Sequence, residues 1–205
     1  KFSLTPAAMG RRALQNVTLE LLTATNGTGC ATLAKTHYDN ADNMTDRIAA
    51  LASLTDSTKP EREAVFSDFY NRYKDYPLVV DKWFTMQSMA NRNAMLDDFA
   101  SLRQHPDFNI KNPNRVRALY SSFAMNNPVK FHDPSGKGYA ILRDVIVELN
   151  AINPQIASRL VTPLREWKRY TPALQAHMKA ALQAILDTPN LSNDVFELVS
   201  KCLKG

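Results

Sequence analysis

The chain has 205 residues, 44% hydrophobic and 22% charged, with 6 Gly and 11 Pro; this suffices for a self-supporting core and excludes the disordered, collagen-like and mucin-like classes. Its 25 Lys and Arg against 20 Asp and Glu leave a net charge of +5, spread along the chain where a nucleic-acid footprint would be dense. Cys30 and Cys202 lie far apart and outside any Cys-x-x-Cys spacing, which argues against a disulfide framework and a structural zinc site and points to a reducing, cytoplasmic compartment.

The opening, Lys1 to Pro6, has neither an initiator Met nor an apolar signal core, and reads as a cut from something longer. Acceptor tripeptides for N-glycosylation begin at Asn16, Asn26 and Asn43; with this cysteine usage they read as chance. Met44, Ile48, Leu51 and Leu54 form the first clear helical stripe. Val65, Phe66, Phe69, Tyr70 and Tyr73 form the next, entered through Pro60 and Glu61 in first-turn positions. Val79, Trp83, Met86 and Met89 form a third, which predicts a buried Trp83. The segments Pro106 to Pro113 and Asn126 to Gly138 break the pattern, the second rich enough in turn formers to predict an ordered loop.

Leu142, Val145, Ile146 and Leu149 resume it, and Asn153-Pro154 then supplies an N-cap and a first-turn proline. Leu174, Met178, Ala181, Leu182 and Ile185 follow Thr171-Pro172. Val195, Leu198, Val199 and Cys202 close the chain behind a cap at Ser192. Turn formers at Asp39-Asn40, Thr55 to Lys59 and Asp187 to Asn190 separate the helices. Strict two-residue alternation is absent, and no run of about 18 apolar residues is long enough to span a membrane. The pattern predicts one all-α domain over residues 1–205, with short connections that imply antiparallel helix pairs stacked as a superhelix of the HEAT or armadillo kind, although no consensus recurs at a fixed period.

Catalytic chemistry is hard to find. A metallopeptidase needs two histidines one helical turn apart and a Glu beside them; His37, His105, His132 and His177 are scattered. Gly136-Lys137-Gly138 lacks both the earlier Gly and the following Ser or Thr of a phosphate loop. Cys202 sits in an apolar stripe and reads as a small buried hydrophobe. Asp42, Asp46, Asp97 and Asp98 read as surface or capping carboxylates. Arg159 to Tyr170 interleaves Arg159, Arg165, Lys168 and Arg169 with Trp167 and Tyr170, a composition shared by nucleic-acid surfaces and by solvated helix faces with one buried aromatic; the second reading is the better supported.

Several strings, in order, resemble the C-terminal helical domain of the bacterial-type aminopeptidase N family: Gly10 to Asn16 (GRRALQN), Asn40 to Asp46 (NADNMTD), Val80 to Phe84 (VDKWF), Asn112 to Leu119 (NPNRVRAL), Phe131-His132 with Gly136 to Tyr139 (GKGY), Asn153 to Leu160 (NPQIASRL) and Lys168 to Tyr170 (KRY). The resemblance implies a non-catalytic domain of a zinc metallo-aminopeptidase. No cofactor belongs to this chain, and the zinc and its ligands belong to an earlier catalytic domain absent here. It also implies a superhelix that caps that domain and forms the peptide-access chamber. The implied partners are the other domains of the same polypeptide and peptide substrates, with no nucleic acid and no membrane. Gln155 and Arg159 lie four apart on one predicted helix, and by the resemblance they face the chamber and bind substrate. Pairing of Arg159 with an acid such as Glu166 is the competing reading. The competing function is a free-standing helical-repeat adaptor that binds a protein or nucleic acid through a basic face.

Overall fold

The computed structural model describes residues 2–25 and 27–204; Lys1 and Gly205 lie outside them, as does Asn26, the acceptor of the second tripeptide. Among the described residues 73% of the structure is helical and no strand occurs. The chain folds as two compact units, Lys1–Arg92 and Asn93–Gly205.

The first unit holds α1 (Pro6–Thr23), α2 (Cys30–Asn40), α3 (Met44–Leu54), α4 (Pro60–Tyr73) and α5 (Pro77–Ser88). Proline stands in the first turn of α1, α4 and α5, where its missing N–H is one the helix could not have used. The Asn43 side chain accepts the Asp46 N–H at 3.0 Å and so caps α3. Helices α1, α2 and α3 pack on one another, and α4 joins α2 to α5. Their core is Leu19, Tyr38, Leu51, Leu54, Phe66 and Phe69 with Trp83 and Phe84. Trp83 is buried as predicted; its indole N–H donates to the Phe66 carbonyl at 2.9 Å, which removes the cost of hiding that donor.

The α5 stripe differs by one position from its sequence reading. Val80, Trp83, Phe84 and Ser88 are buried while Val79, Met86 and Met89 are half-buried, because aiming the indole at Phe66 rotates Val80 inward. Asp39 and Asn40, read as a turn, are the last residues of α2. A polar cluster ties α2 to α4. The Tyr38 hydroxyl donates to Asp68 at 2.8 Å, and Arg72 reaches the same carboxylate at 2.5 Å. Partial burial would raise the Asp68 carboxyl, but the hydrogen bonds from Arg72 and Tyr38 outweigh it and hold it below its ordinary value.

The second unit begins with α6 (Met95–Arg103), whose first turn carries Asp97 and Asp98, favourable against the helix dipole. A helical run follows: α7 (Pro113–Val116), a π-helical turn (Arg117–Ser121) and α8 (Ser122–Asn126). Phe99 of α6 packs its ring against Tyr120 and Phe123 of this run, with centroids 5.1 and 4.9 Å apart. Next come α9 (Pro128–Phe131), α10 (Lys137–Asn150), α11 (Pro154–Leu160), α12 (Pro172–Leu186) and α13 (Asn193–Lys204). The α10 stripe of Leu142, Val145, Ile146 and Leu149 and the α12 stripe of Met178, Ala181, Leu182 and Ile185 are buried as read.

Three readings need correction here. The segment Asn126 to Gly138 is not loop throughout, since Asn127 caps the one-turn helix α9 through the Lys130 N–H. Leu198 is 39% exposed and leaves Val195, Val199 and Cys202 to anchor α13. Arg159 to Tyr170 is not one solvated helix face: past α11 it turns through two 3-10 segments, Thr162–Leu164 and Trp167–Arg169. Pro163 forces the break, because it supplies no N–H to a continuing α-helix.

Candidate functional site

Helix α11 owes its position to both its ends. The Asn153 side chain accepts the Ile156 N–H at 3.2 Å, and Pro154 occupies the first turn. Ile156, Ala157 and Leu160 are buried, and the helix packs on α10 and α13. With those positions turned inward, the 3.6-residue period turns Gln155 and Arg159 outward together, and both are exposed. Among the described residues neither side chain has a hydrogen bond or ion pair. The pairing of Arg159 with Glu166 does not form: the Glu166 carboxylate lies 3.9 Å from Arg169.

Immediately after α11 the chain borders a groove of about 510 Å³, walled by Arg165, Lys168 and Arg169 on the 3-10 side and by Leu198 and Lys201 of α13. The Trp167 indole N–H donates to the Cys202 carbonyl at 2.9 Å and pins the two walls together. Burial pushes the Cys202 thiol up, so it is a packed hydrophobe and no nucleophile. Among the described residues Glu166 is the only carboxylate lining the groove, and Lys201 is already bound to Glu197 at 2.5 Å. The surface favours anions and carbonyl oxygens, and can hold them without breaking bonds. Lys201 had no signature in the sequence, since only the packing of α13 brings it beside Arg165 and Arg169.

The Phe131-His132 and Gly136 to Tyr139 strings form a packing device. The Tyr139 hydroxyl and His132 Nδ1 share a hydrogen bond of 2.8 Å, and the His132 ring stacks on Tyr170 with centroids 4.3 Å apart. Burial lowers the His132 pKa and pushes Tyr139 up to about 12, so both are neutral near pH 7. Gly138 is required where it stands: a Cβ there would lie 2.3 Å from the Phe131 carbonyl oxygen. Gly136 has φ +72 and faces the His177 ring at 2.8 Å from any Cβ. Among the described residues no three His, Cys, Asp or Glu side chains gather in a group able to hold a metal ion.

Residues 1–204 match the family model described as "Domain of unknown function (DUF3458_C) ARM repeats". The chain is 45% identical over 203 residues to aminopeptidase N of Caulobacter vibrioides, covering 99% of this chain and 24% of that protein. Identity to aminopeptidase N of Haemophilus influenzae is 39% over 204 residues, with 99% of this chain and 23% of that one covered. For the Escherichia coli aminopeptidase N it is 36% over 195 residues, with 95% and 22% covered. The solved structure of Legionella pneumophila aminopeptidase A in complex with aspartic acid matches with a TM-score of 0.89 and 31% identity, over 99% of this chain and 24% of that chain. The chain thus spans about a quarter of the length of its relatives. It belongs to this ARM-repeat family, and corresponds to the C-terminal domain of aminopeptidase N homologues.

Proposed function

We propose that this chain is the non-catalytic C-terminal domain of a zinc-dependent aminopeptidase N that removes N-terminal residues from peptides. In that enzyme residues 1–205 act as one domain that caps the catalytic portion and walls the chamber through which peptides arrive. A closed chamber admits short peptides and excludes folded proteins by size, a selectivity that the bond-breaking chemistry does not supply. The zinc of such an enzyme polarises the scissile carbonyl and activates water. Among the described residues no cluster of His, Cys, Asp and Glu fits a zinc site, and no bond-breaking step is assigned to them. Free Cys30 and Cys202 support a cytoplasmic setting, and among the described residues no helix is long and apolar enough to cross a membrane.

The observation that carries the reading is the paired, unpartnered exposure of Gln155 and Arg159 on α11. A guanidinium left without a carboxylate in a structure with many ion pairs is free to offer its planar fork to the carboxylate end or backbone carbonyls of a peptide. Gln155 stands one turn earlier with a donor and an acceptor. Both position substrate beyond the cleaved bond and convert an encounter into the right orientation.

In the full-length enzyme, Arg159→Ala is expected to raise KM for tri- and tetrapeptides by roughly 10-fold or more, the scale of one lost charged hydrogen bond. KM for a single aminoacyl-arylamide, which ends at the cleaved bond, is expected to change little. Equal effects on both substrates, or none, would remove Arg159 from the substrate path. The competing adaptor reading draws on the basic groove beside α11. A full-length polypeptide that carries no zinc and hydrolyses no aminoacyl-arylamide would favour it.

A further inference from the structure

The path of the chain after α11 repeats every three residues. Val161, Leu164 and Trp167 are buried, and the residue after each of them, Thr162, Arg165 and Lys168, is exposed. In 3-10 geometry side chains three apart eclipse one another, so the two 3-10 turns set a hydroxyl, a guanidinium and an ammonium in file along one wall of the groove. Leu198 and Lys201 of α13 stand on the other wall. The bond from the Trp167 indole to the Cys202 carbonyl ties the walls together, so the groove is formed before anything enters it. Between the cations its lining is apolar, supplied by Val161, Leu198 and Cys202.

The cations of this lining are unequally engaged. Arg169 faces Glu166 at 3.9 Å and Lys201 holds Glu197 at 2.5 Å. Arg165 and Lys168 have no carboxylate within ion-pair distance among the described residues; the Lys168 ammonium lies over the Trp167 ring, 5.5 Å from its centroid. The Arg165 charge reaches the Cys202 thiol and acts on it, which sets it against the apolar lining, where attraction for an anion is stronger than in open water. A volume of about 510 Å³ falls in the range of small-molecule sites, about 300–1,000 Å³. A nucleic-acid strand needs instead a basic track with stacking rings along it; here the nearest ring, Trp167, is buried and already covered by Lys168.

We propose that the groove between the 3-10 turns and α13 is a binding site for a small organic anion with an apolar body, its head a phosphate or carboxylate. Arg165 and Lys168 take the head, with the Thr162 hydroxyl as a neutral donor beside them, and Val161, Leu198 and Cys202 cover the body. The guanidinium supplies a planar fork for two oxygens and the ammonium a point charge. Neither Gln155 nor Arg159 lines the groove, so its occupancy does not depend on their role.

The test titrates 1-naphthyl phosphate into the full-length protein by isothermal titration calorimetry, with inorganic phosphate as the head alone and 1-naphthol as the body alone. The expected result is saturable binding of 1-naphthyl phosphate, with each half at least roughly tenfold weaker. Arg165→Gln is expected to weaken both 1-naphthyl phosphate and phosphate by roughly tenfold, the scale of a lost charged hydrogen bond. Leu198→Ala is expected to weaken 1-naphthyl phosphate by about threefold or more and to leave phosphate unchanged, since it removes only apolar contact. Both side chains are exposed, and an unchanged melting curve for each variant establishes that the fold is intact. Absence of saturable binding overturns the site, as does equal binding of 1-naphthyl phosphate by the wild type and Arg165→Gln. Phosphate bound as tightly as its naphthyl ester would reduce the groove to a bare ion surface and overturns the assigned ligand class. A single-stranded oligonucleotide that binds at least tenfold more tightly and displaces the probe would make the surface a polymer track, and overturns it as well.

Discussion

Trp83 illustrates how a single side chain can be assigned before its surroundings are known. Its stripe predicts burial, and the structure adds a hydrogen bond to Phe66 and ring contacts with Tyr70 and Phe84, centroids 5.2 and 5.1 Å away. Trp83→Ala removes that packing and leaves the Phe66 carbonyl without its donor, a loss of about 3–5 kcal/mol. For a chain of this size the melting temperature is expected to fall by at least about 6 °C in a calorimetric scan; an unchanged melt would contradict the burial. His132 makes a pH-dependent contribution. Burial depresses its pKa in the folded state, so the unfolded chain binds more protons once the pH drops below the unfolded value of about 6.5. Stability is therefore full above that pH and declines as the pH falls toward the folded value, with His105, also lowered by burial, acting in the same direction. Denaturant titrations between about pH 7.5 and 5.5 should show the decline, smaller in His132→Gln. A separate loss at lower pH, about 4 and below, is expected as Asp68 and Asp133 are protonated.

At the scale of elements, caps and prolines set the boundaries, and close approaches set which helices can meet. Asn43, Asn112, Asn127 and Asn153 each accept a backbone N–H at a helix start; of these the sequence reading named Asn153, where a proline follows the cap directly and the signal is local. The contact of α9 with α10 is different, for it depends on Gly138 lying against the Phe131 backbone. Replacing Gly138 with Ala improves the helix by about 1 kcal/mol, yet pushes a methyl group to 2.3 Å from an oxygen that is main chain and cannot swing away. Overpacking of this kind costs about 1–3 kcal/mol and wins. Gly138→Ala is expected to lower the unfolding midpoint in denaturant, whereas Gly10→Ala in the isolated chain, with open space around it, should raise it. A stabilising Gly138→Ala would show that the two helices separate at little cost.

For the whole molecule, two contact units share one chain and one family match. If residues 1–205 act as one domain, heating the chain should give a single cooperative transition with the same midpoint by far-ultraviolet ellipticity and by tryptophan emission, since Trp83 reports on the first unit and Trp167 on the second. Two resolved transitions would make the units independent. The helical content predicts a far-ultraviolet spectrum dominated by the minima of α-helix.

Helix identity and most core stripes were legible in the sequence because they rest on short-range periodicity. Leu142, Val145, Ile146 and Leu149 must share a face whatever else the chain does, and so must Gln155 and Arg159. The rotation of α5 by one position and the exposure of Leu198 were not legible, because each depends on what packs against the segment from a distance. The same holds for the groove that brings Lys201 beside Arg165, residues 36 apart in sequence. A solvated charge and a site charge look alike in sequence; Glu166 meets Arg169, three residues on in the same 3-10 turn, while the path of the chain after α11 leaves Arg159 without a carboxylate among the described residues.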